Sequence, residues 1–357
     1  MKNLDQYRGC LLGGAIGDAL GYAVEFLSYK KITQKYGSNG ITDFELYRGQ
    51  ALISDDTQMT LATAFGLLAT KVRHRKDAKK ENYVEEIGRA YRIWFLGQIE
   101  EQEGNHWLFG VPGMTDRRAP GNTCLDSLSR TQLGSLNTPI NDSCGCGGVM
   151  RVAPIGLLFS EDASDFATII GAESAALTHS HELGYLPAAA LTYIVHNLAN
   201  RPGLSVTEAT RESIDAIARL FSPSPERDAF FNLLNQAVDL ARQARSEDVD
   251  AINQLGEGWV GDEALAIALY AAIRHENDFE RAIVAAVNHS GDSDSTGAIA
   301  GNILGAKLGA SAIPAKYIQN LECRALIDRV AEDLFIASTV SDLPMSRPDV
   351  ATRYEPL

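Results

Sequence analysis

Two short runs of oxygen-bearing residues stand near opposite ends of the chain, Ser54-Asp55-Asp56 and Asp292-Ser293-Asp294-Ser295. Carboxylates and hydroxyls packed this densely are ligands for hard divalent cations such as Mg²⁺, which takes oxygen donors in octahedral geometry and retains water. Four carboxylates converging in a fold would repel one another unless a cation sat between them. The two runs are therefore read as halves of one metal centre, with Ser293 its most dispensable member. Asp and Ser are also common helix caps, and either run taken alone is better explained by a helix start.

The segments that must position these runs are helical. Leu183, Leu186, Ala190, Leu191, Ile194, Val195 and Leu198 fall on one face of a 3.6-residue repeat. Ser205-Val206-Thr207-Glu208 is a capping box opening the next helix, which Pro223 and Pro225 are expected to end. Further helices are expected around 233–241, from a cap at Asp262 through Ile273, and from a cap at Asp278 through Val287. Residues 8–22, 56–73 and 82–99 repeat the pattern, and no sustained period-two alternation appears. The predicted fold is all-α, and no repeat suggests a solenoid. Residues 100–148 form a loop-rich centre, of the kind that is usually functional or hides an unrecognised element.

Two ladders, Gly13-Gly17-Gly21 and Gly297-Gly301-Gly305-Gly309, recur every four residues. Glycine inside a helix costs roughly 1 kcal/mol against Ala, so a ladder implies close backbone packing in return. Such packing would hold the neighbouring acidic runs in fixed positions. Without a preceding strand, Gly13 to Gly17 makes a poor phosphate-binding turn.

Bulk properties narrow the function classes. Of 357 residues 45% are hydrophobic, enough for a substantial core, and the length suits one large domain or two. A formal net charge of −14 argues against a general nucleic-acid surface, which needs clustered Lys and Arg. Cys10, Cys124, Cys144, Cys146 and Cys323 are an odd, scattered set without the spacing of a disulfide framework. Cys144-Gly145-Cys146 lacks a second pair to close a zinc site. No signal peptide is evident, and the apolar stretch 10–24 is too short and polar to span a bilayer. The expectation is a cytoplasmic protein without membrane association.

Five motifs occur in order: Gly13 to Gly21 with Glu25; Ser54-Asp55-Asp56-Thr57; Gly147-Gly148-Val149-Met150-Arg151-Val152-Ala153-Pro154; Thr178-His179; and Gly291 to Ser295. Together they resemble the ADP-ribosylglycohydrolase family, from about residue 7 to residue 335. The resemblance implies one domain over 1–357 with a C-terminal tail near 340–357. Its fold would be a compact orthogonal multi-helix bundle around a cleft holding two divalent cations, Mg²⁺ or Mn²⁺. Carried over, Ser54, Asp55, Asp56, Asp292, Asp294 and Ser295 become metal ligands, with Glu25, Asp55, Asp56 and Asp292 catalytic. The loop Ser143, Cys144, Gly145, Cys146, Gly147, Gly148 and Met150, with His179, becomes the ADP-ribose pocket. The chain departs from the family pattern in having Ser at 54 and 295 instead of Thr, and Cys146 where Asn is usual. Thr296 competes with Ser295 as the hydroxyl donor.

The implied reaction is metal-dependent hydrolysis of ADP-ribose from modified protein side chains, arginine-linked above all, with an ADP-ribosyltransferase or toxin as a possible partner. Other readings stay open: a serine-linked, O-acetyl or nucleic-acid conjugate as substrate, a non-catalytic binding protein, or a toxin-immunity protein. Apart from the resemblance, Glu25 reads as a solvated helix-end acid, and His179 and His181 as capping or core groups. Arg151 reads as an internal ion-pair partner, with Asp18 as its partner or as an outer support of the metal ligands. Trp107, Trp259, Tyr22 and Tyr185 read as core or rim residues.

Overall fold

The computed structural model describes residues 2–99, 106–243 and 247–355, and residues 100–105 of the expected central loop lie outside it. Among the described residues there is no strand, only four isolated bridges. Eleven helices of nine or more described residues make the body. They are α1 (Leu4–Tyr22), α2 (Asp55–Arg73), α3 (Lys80–Gln98), α4 (Ser164–Ala176), α5 (Glu182–Asn200), α6 (Val206–Leu220), α7 (Pro225–Arg242), α8 (Gly261–Arg274), α9 (Phe279–Val287), α10 (Ser293–Leu308) and α11 (Arg324–Thr339). This is the all-α fold that the periodicity predicts.

Helices α1 and α10 sit at the centre, buried on nearly every side. A helix without a polar face belongs in the interior, and α5, α8, α9 and α11 pack around this pair. The two run antiparallel with their backbones in contact. A Cβ on Gly17 would overlap the Gly297 carbonyl, one on Gly301 that of Gly13, and one on Gly305 that of Gly9. Gly21 meets the Ser293 carbonyl in the same way. The seam thus includes Gly9, which the ladder reading missed and whose added Cβ would also overlap the backbone of Gly309. Gly309 has φ +82°, a left-handed conformation that ends α10. The seam brings the C-terminal end of α1 against the first turn of α10, where the second acidic run lies.

Local chemistry explains most helix ends and corrects some expectations. Ser205 and Glu208 form the expected capping box, and the Asp278 side chain accepts from the Arg281 amide. Helix α6 already ends at Leu220, and Pro225 starts α7. Proline suits a first helical turn because no amide donor is required there. Asp262 lies inside the first turn of α8, and Val260 holds the cap position. Within the central loop, Asn122–Ser129 forms a further short helix. Near the C-terminus Tyr354 is buried, with its hydroxyl 3.0 Å from Asp333.

Candidate metal centre

Asp18, on α1, organises the first acidic run from behind. Its carboxylate accepts from the Ser54 amide at 3.0 and 3.1 Å, from the Thr57 amide at 3.1 Å, and from the Thr57 hydroxyl. A carboxylate at a helix N-terminus satisfies exposed amides and complements the helix dipole. Burial raises Asp18 to about 6, against the opposing pull of the Thr57 and Ser54 donors. Asp18 is therefore a support for the ligand run, and no ion pair links it to Arg151 among the described residues. Ser54 caps α2 by accepting from the Asp56 amide at 3.2 Å. The Asp55 amide donates to the Arg118 carbonyl at 3.0 Å, and its carboxylate accepts from the Gly121 amide at 3.2 Å. Arg118 is itself clamped by both carboxylate oxygens of Glu322, at 2.9 and 3.0 Å.

The second run opens α10. Asp292 caps the helix through the Ser295 amide at 3.3 Å, and Asp294 accepts from the same amide at 3.0 Å. Thr296 is committed elsewhere. Its hydroxyl lies 2.8 Å from the carbonyls of Ala286 and Asp292 and 2.9 Å from His289 Nε2.

The two runs meet in a cavity of about 520 Å³. Glu25, Asp55, Asp56, Asp292, Asp294 and Ser295 line one wall. Carboxylate oxygens of Glu25, Asp292 and Asp294 lie within 4.8 Å of one another, and all three residues are buried. Glu25 Oε2 and Asp56 Oδ2 are buried without a hydrogen-bond partner. Burial, then the charges of Asp292, Asp55 and Asp18, raises Glu25 to about 8. Burial also raises Asp55 to about 8 and lifts Asp56 and Asp294 well above the carboxylate range, each adding to the repulsion on its neighbours. Unpaired buried oxygens and mutually repelling carboxylates are the donor set of a hard cation site.

The rest of the lining combines Gly145, Cys146, Gly147, Met150 and His179 with Arg117 and the segment Ala119 to Cys124. Cys146 faces Asp292 and Ser295, and burial together with Asp292 pushes its thiol well above the usual range. Gly147 presses on the His179 ring, since an added Cβ would lie 3.0 Å from Cε1. Phe26 and Trp259 stack at the mouth with centroids 5.9 Å apart.

Ser54, Ser143, Cys144 and Gly148 do not line the cavity. Ser54 turns its oxygen to the α2 amide, and the Cys144 carbonyl accepts from the Gly261 amide at 2.8 Å. Gly148 packs against the Gly184 carbonyl, and Ser143 Oγ lies 3.2 Å from the Thr123 hydroxyl. His181 caps α5 through the Leu183 amide. The expectation of an ion pair at Arg151 is corrected. Its guanidinium is buried with its carbon 4.2 Å from the Tyr91 ring centroid and has no carboxylate partner among the described residues. Sequence reasoning missed Phe26 and the Arg117–Cys124 loop, whose signal was the Pro120-Gly121-Asn122 breaker before a short helix.

A model of the ADP-ribosylglycohydrolase family matches residues 1–343. The chain is 26% identical to the ADP-ribosyl-[dinitrogen reductase] glycohydrolase of Rhodospirillum rubrum, covering 90% of this chain and 91% of that protein. It is 25% identical to human ADP-ribosylhydrolase ARH3 over 93% of each chain. It is 28% identical to the ADP-ribosylarginine hydrolase Tri1 of Pseudomonas putida, over 93% of this chain and 78% of that protein. A solved structure titled as an ADP-ribosylglycohydrolase-related protein complex shares the fold, with TM-score 0.58 and 23% identity over 94% and 99% of the two chains.

Proposed function

This chain belongs to the ADP-ribosylglycohydrolase family, hydrolases of glycosidic bonds in ADP-ribosylated substrates, and from that premise we propose a divalent-cation-dependent enzyme that frees arginine side chains of ADP-ribose. The observation that carries this reading is the convergence of Glu25, Asp55, Asp56, Asp292 and Asp294 on one cavity with unpaired buried oxygens.

The bond to be broken joins ribose C1 to a side-chain nitrogen or oxygen, and its cleavage develops oxocarbenium character at C1. Two divalent cations, Mg²⁺ or Mn²⁺, when bound, supply fixed positive charge that orients ribose hydroxyls and lowers the pKa of water. Asp55, Asp56, Asp292 and Asp294, with Ser295, would hold them. Ser54 would act through its cap on α2. Glu25 borders the same cluster and lines the cavity, with its Oε2 buried and without a hydrogen-bond partner. It would hold the attacking water and accept its proton at that oxygen. Gly145 to Gly147, Met150 and His179 would shape the pocket for the ADP-ribose moiety.

Three observations favour an arginine linkage. One relative is an ADP-ribosylarginine hydrolase by name. The Phe26–Trp259 pair stands at the mouth beside Glu25, where aromatic faces suit a planar guanidinium. The acidic wall favours a cationic leaving group. An arginine-directed ADP-ribosyltransferase, cellular or a toxin, would supply the substrate, and the cytoplasm is the proposed compartment. Among the described residues no helix is long and apolar enough to cross a membrane.

Peptides ADP-ribosylated on arginine or on serine, together with O-acetyl-ADP-ribose, assayed with Mg²⁺, with Mn²⁺ and with chelator, test this reading. Cation-dependent release of ADP-ribose from the arginine peptide is expected. Faster cleavage of the serine peptide would move the substrate assignment, and full turnover in chelator would refute the cation requirement.

A further inference from the structure

Arg151 is fully buried, carries a permanent charge and meets no carboxylate among the described residues. Burying a cation without a counter-charge is expensive, so its neighbours must return that cost through contacts of another kind. Its carbon lies 4.2 Å from the Tyr91 ring centroid, a cation–π contact. One terminal nitrogen donates to the Ser174 carbonyl at 3.2 Å and to the Thr178 hydroxyl oxygen at 2.6 Å. That same hydroxyl lies 2.8 Å from His179 Nδ1. His179 is the next residue and lines the cavity.

The chain of donors has a direction. Guanidinium only donates, so the Thr178 oxygen must accept from it. Thr178 then has a single proton to place, on His179 Nδ1 at 2.8 Å or on the Ala175 carbonyl at 3.5 Å. The second distance is at the edge of a hydrogen bond, and the first is near ideal. Nδ1 therefore accepts, and the ring proton must reside on Nε2. A protonated ring would put two donors face to face at Nδ1 and a second cation beside Arg151. Burial and Arg151 accordingly lower His179 to about 3. Nε2 has no hydrogen-bond partner among the described residues, and Gly145 and Gly147 keep the space around it free of side chains, since an added Cβ at either would come within 3.4 Å of it.

We propose that Arg151 and Thr178 are positioning residues that lock His179 as a neutral Nε2–H donor aimed at an acceptor oxygen of the bound ligand. Taking ADP-ribose as that ligand rests on the proposed function; the tautomer does not. A donor whose charge and direction are fixed before binding costs no reorganisation when ligand arrives, unlike a histidine that titrates near neutrality.

Nitrogen NMR of histidine-labelled, Mg²⁺-loaded protein reads the tautomer without ligand, with His179→Gln used to assign the signal. The expected pattern is an unprotonated Nδ1 and a protonated Nε2 that persists from about pH 5 to 8. Thr178→Val, nearly isosteric, should release the tautomer preference and weaken ADP-ribose binding, measured by calorimetry, roughly 5- to 100-fold. Thr178→Ser should retain both. A protonated Nδ1 in the unsubstituted protein, or a Thr178→Val protein with the same tautomer and affinity, would overturn the proposal. Absence of ADP-ribose binding by the unsubstituted protein would instead overturn the functional reading, because the tautomer is read in the free protein.

Discussion

Cation binding at the acidic cluster should release protons, and the structure sets the minimum number. In the cation-free site Glu25 and Asp55 each titrate at about 8, through burial first and neighbouring carboxylates after it. Asp56 and Asp294 are raised well above their usual range by the same causes. Below about pH 7 a carboxyl with pKa 8 is more than about nine-tenths protonated, yet a hard cation takes carboxylates. At least two protons must therefore leave on binding, and apparent affinity should rise about 100-fold per pH unit between about pH 6 and 7. The slope lessens as pH passes about 8 and Glu25 and Asp55 ionise without the cation. Stability follows the same linkage. Carboxyls with raised folded-state values contribute stability at low pH that is lost between about pH 4 and 8, so the cation-free protein should melt earlier as pH rises, and cation should reverse this. Mn²⁺ titration calorimetry at the two lower pH values, in buffers of different ionisation enthalpy, counts the protons directly. Release of fewer than one proton, or a tenfold or smaller change in affinity, would refute the reasoning.

Two substitutions test the scaffold. Gly17→Ala places a methyl against the Gly297 carbonyl across the α1–α10 seam, where only backbone movement can relieve the overlap. It should cost about 3 kcal/mol in denaturant unfolding, and an unchanged midpoint would contradict the close packing. Asp18→Asn removes the charge that gathers the Ser54 and Thr57 amides, so Mn²⁺ affinity should fall roughly 10- to 100-fold although Asp18 does not line the cavity. Equal affinity in the variant would show that α2 is fixed without it.

How much of this was legible in the sequence varied with the kind of signal. Helices with an apolar stripe, such as α6 and α7, follow directly from spacing, because one face is buried and the other wet. The central pair lacks such a stripe, and its glycines carry the information instead. They indicated close backbone contact but not that α1 and α10 contact each other, since a ladder has no partner-specific chemistry. The acidic runs were visible as caps and as ligands, and both descriptions hold. Asp292 caps α10 while lining the cavity, whereas Ser54 caps α2 and does not line it. The family resemblance placed Glu25 and His179 near the centre. Nothing local in either position could do so, because their neighbours come from helices far away in sequence. Arg151 misled for a related reason. A buried arginine ordinarily implies a carboxylate, and the aromatic ring and hydroxyl that replace it come from Tyr91 and Thr178. The Arg117–Cys124 loop was hidden because turn residues announce a break in structure without saying what the break encloses.

The central claim is that the two acidic runs and Glu25 form one divalent-cation centre. Crystals grown with Mn²⁺ and measured at its absorption edge test it most directly. Anomalous density in two peaks about 3.5–4 Å apart, bounded by Asp55, Asp56, Asp292 and Asp294 and beside Glu25, is the predicted result. A map without such density at saturating Mn²⁺ would contradict it.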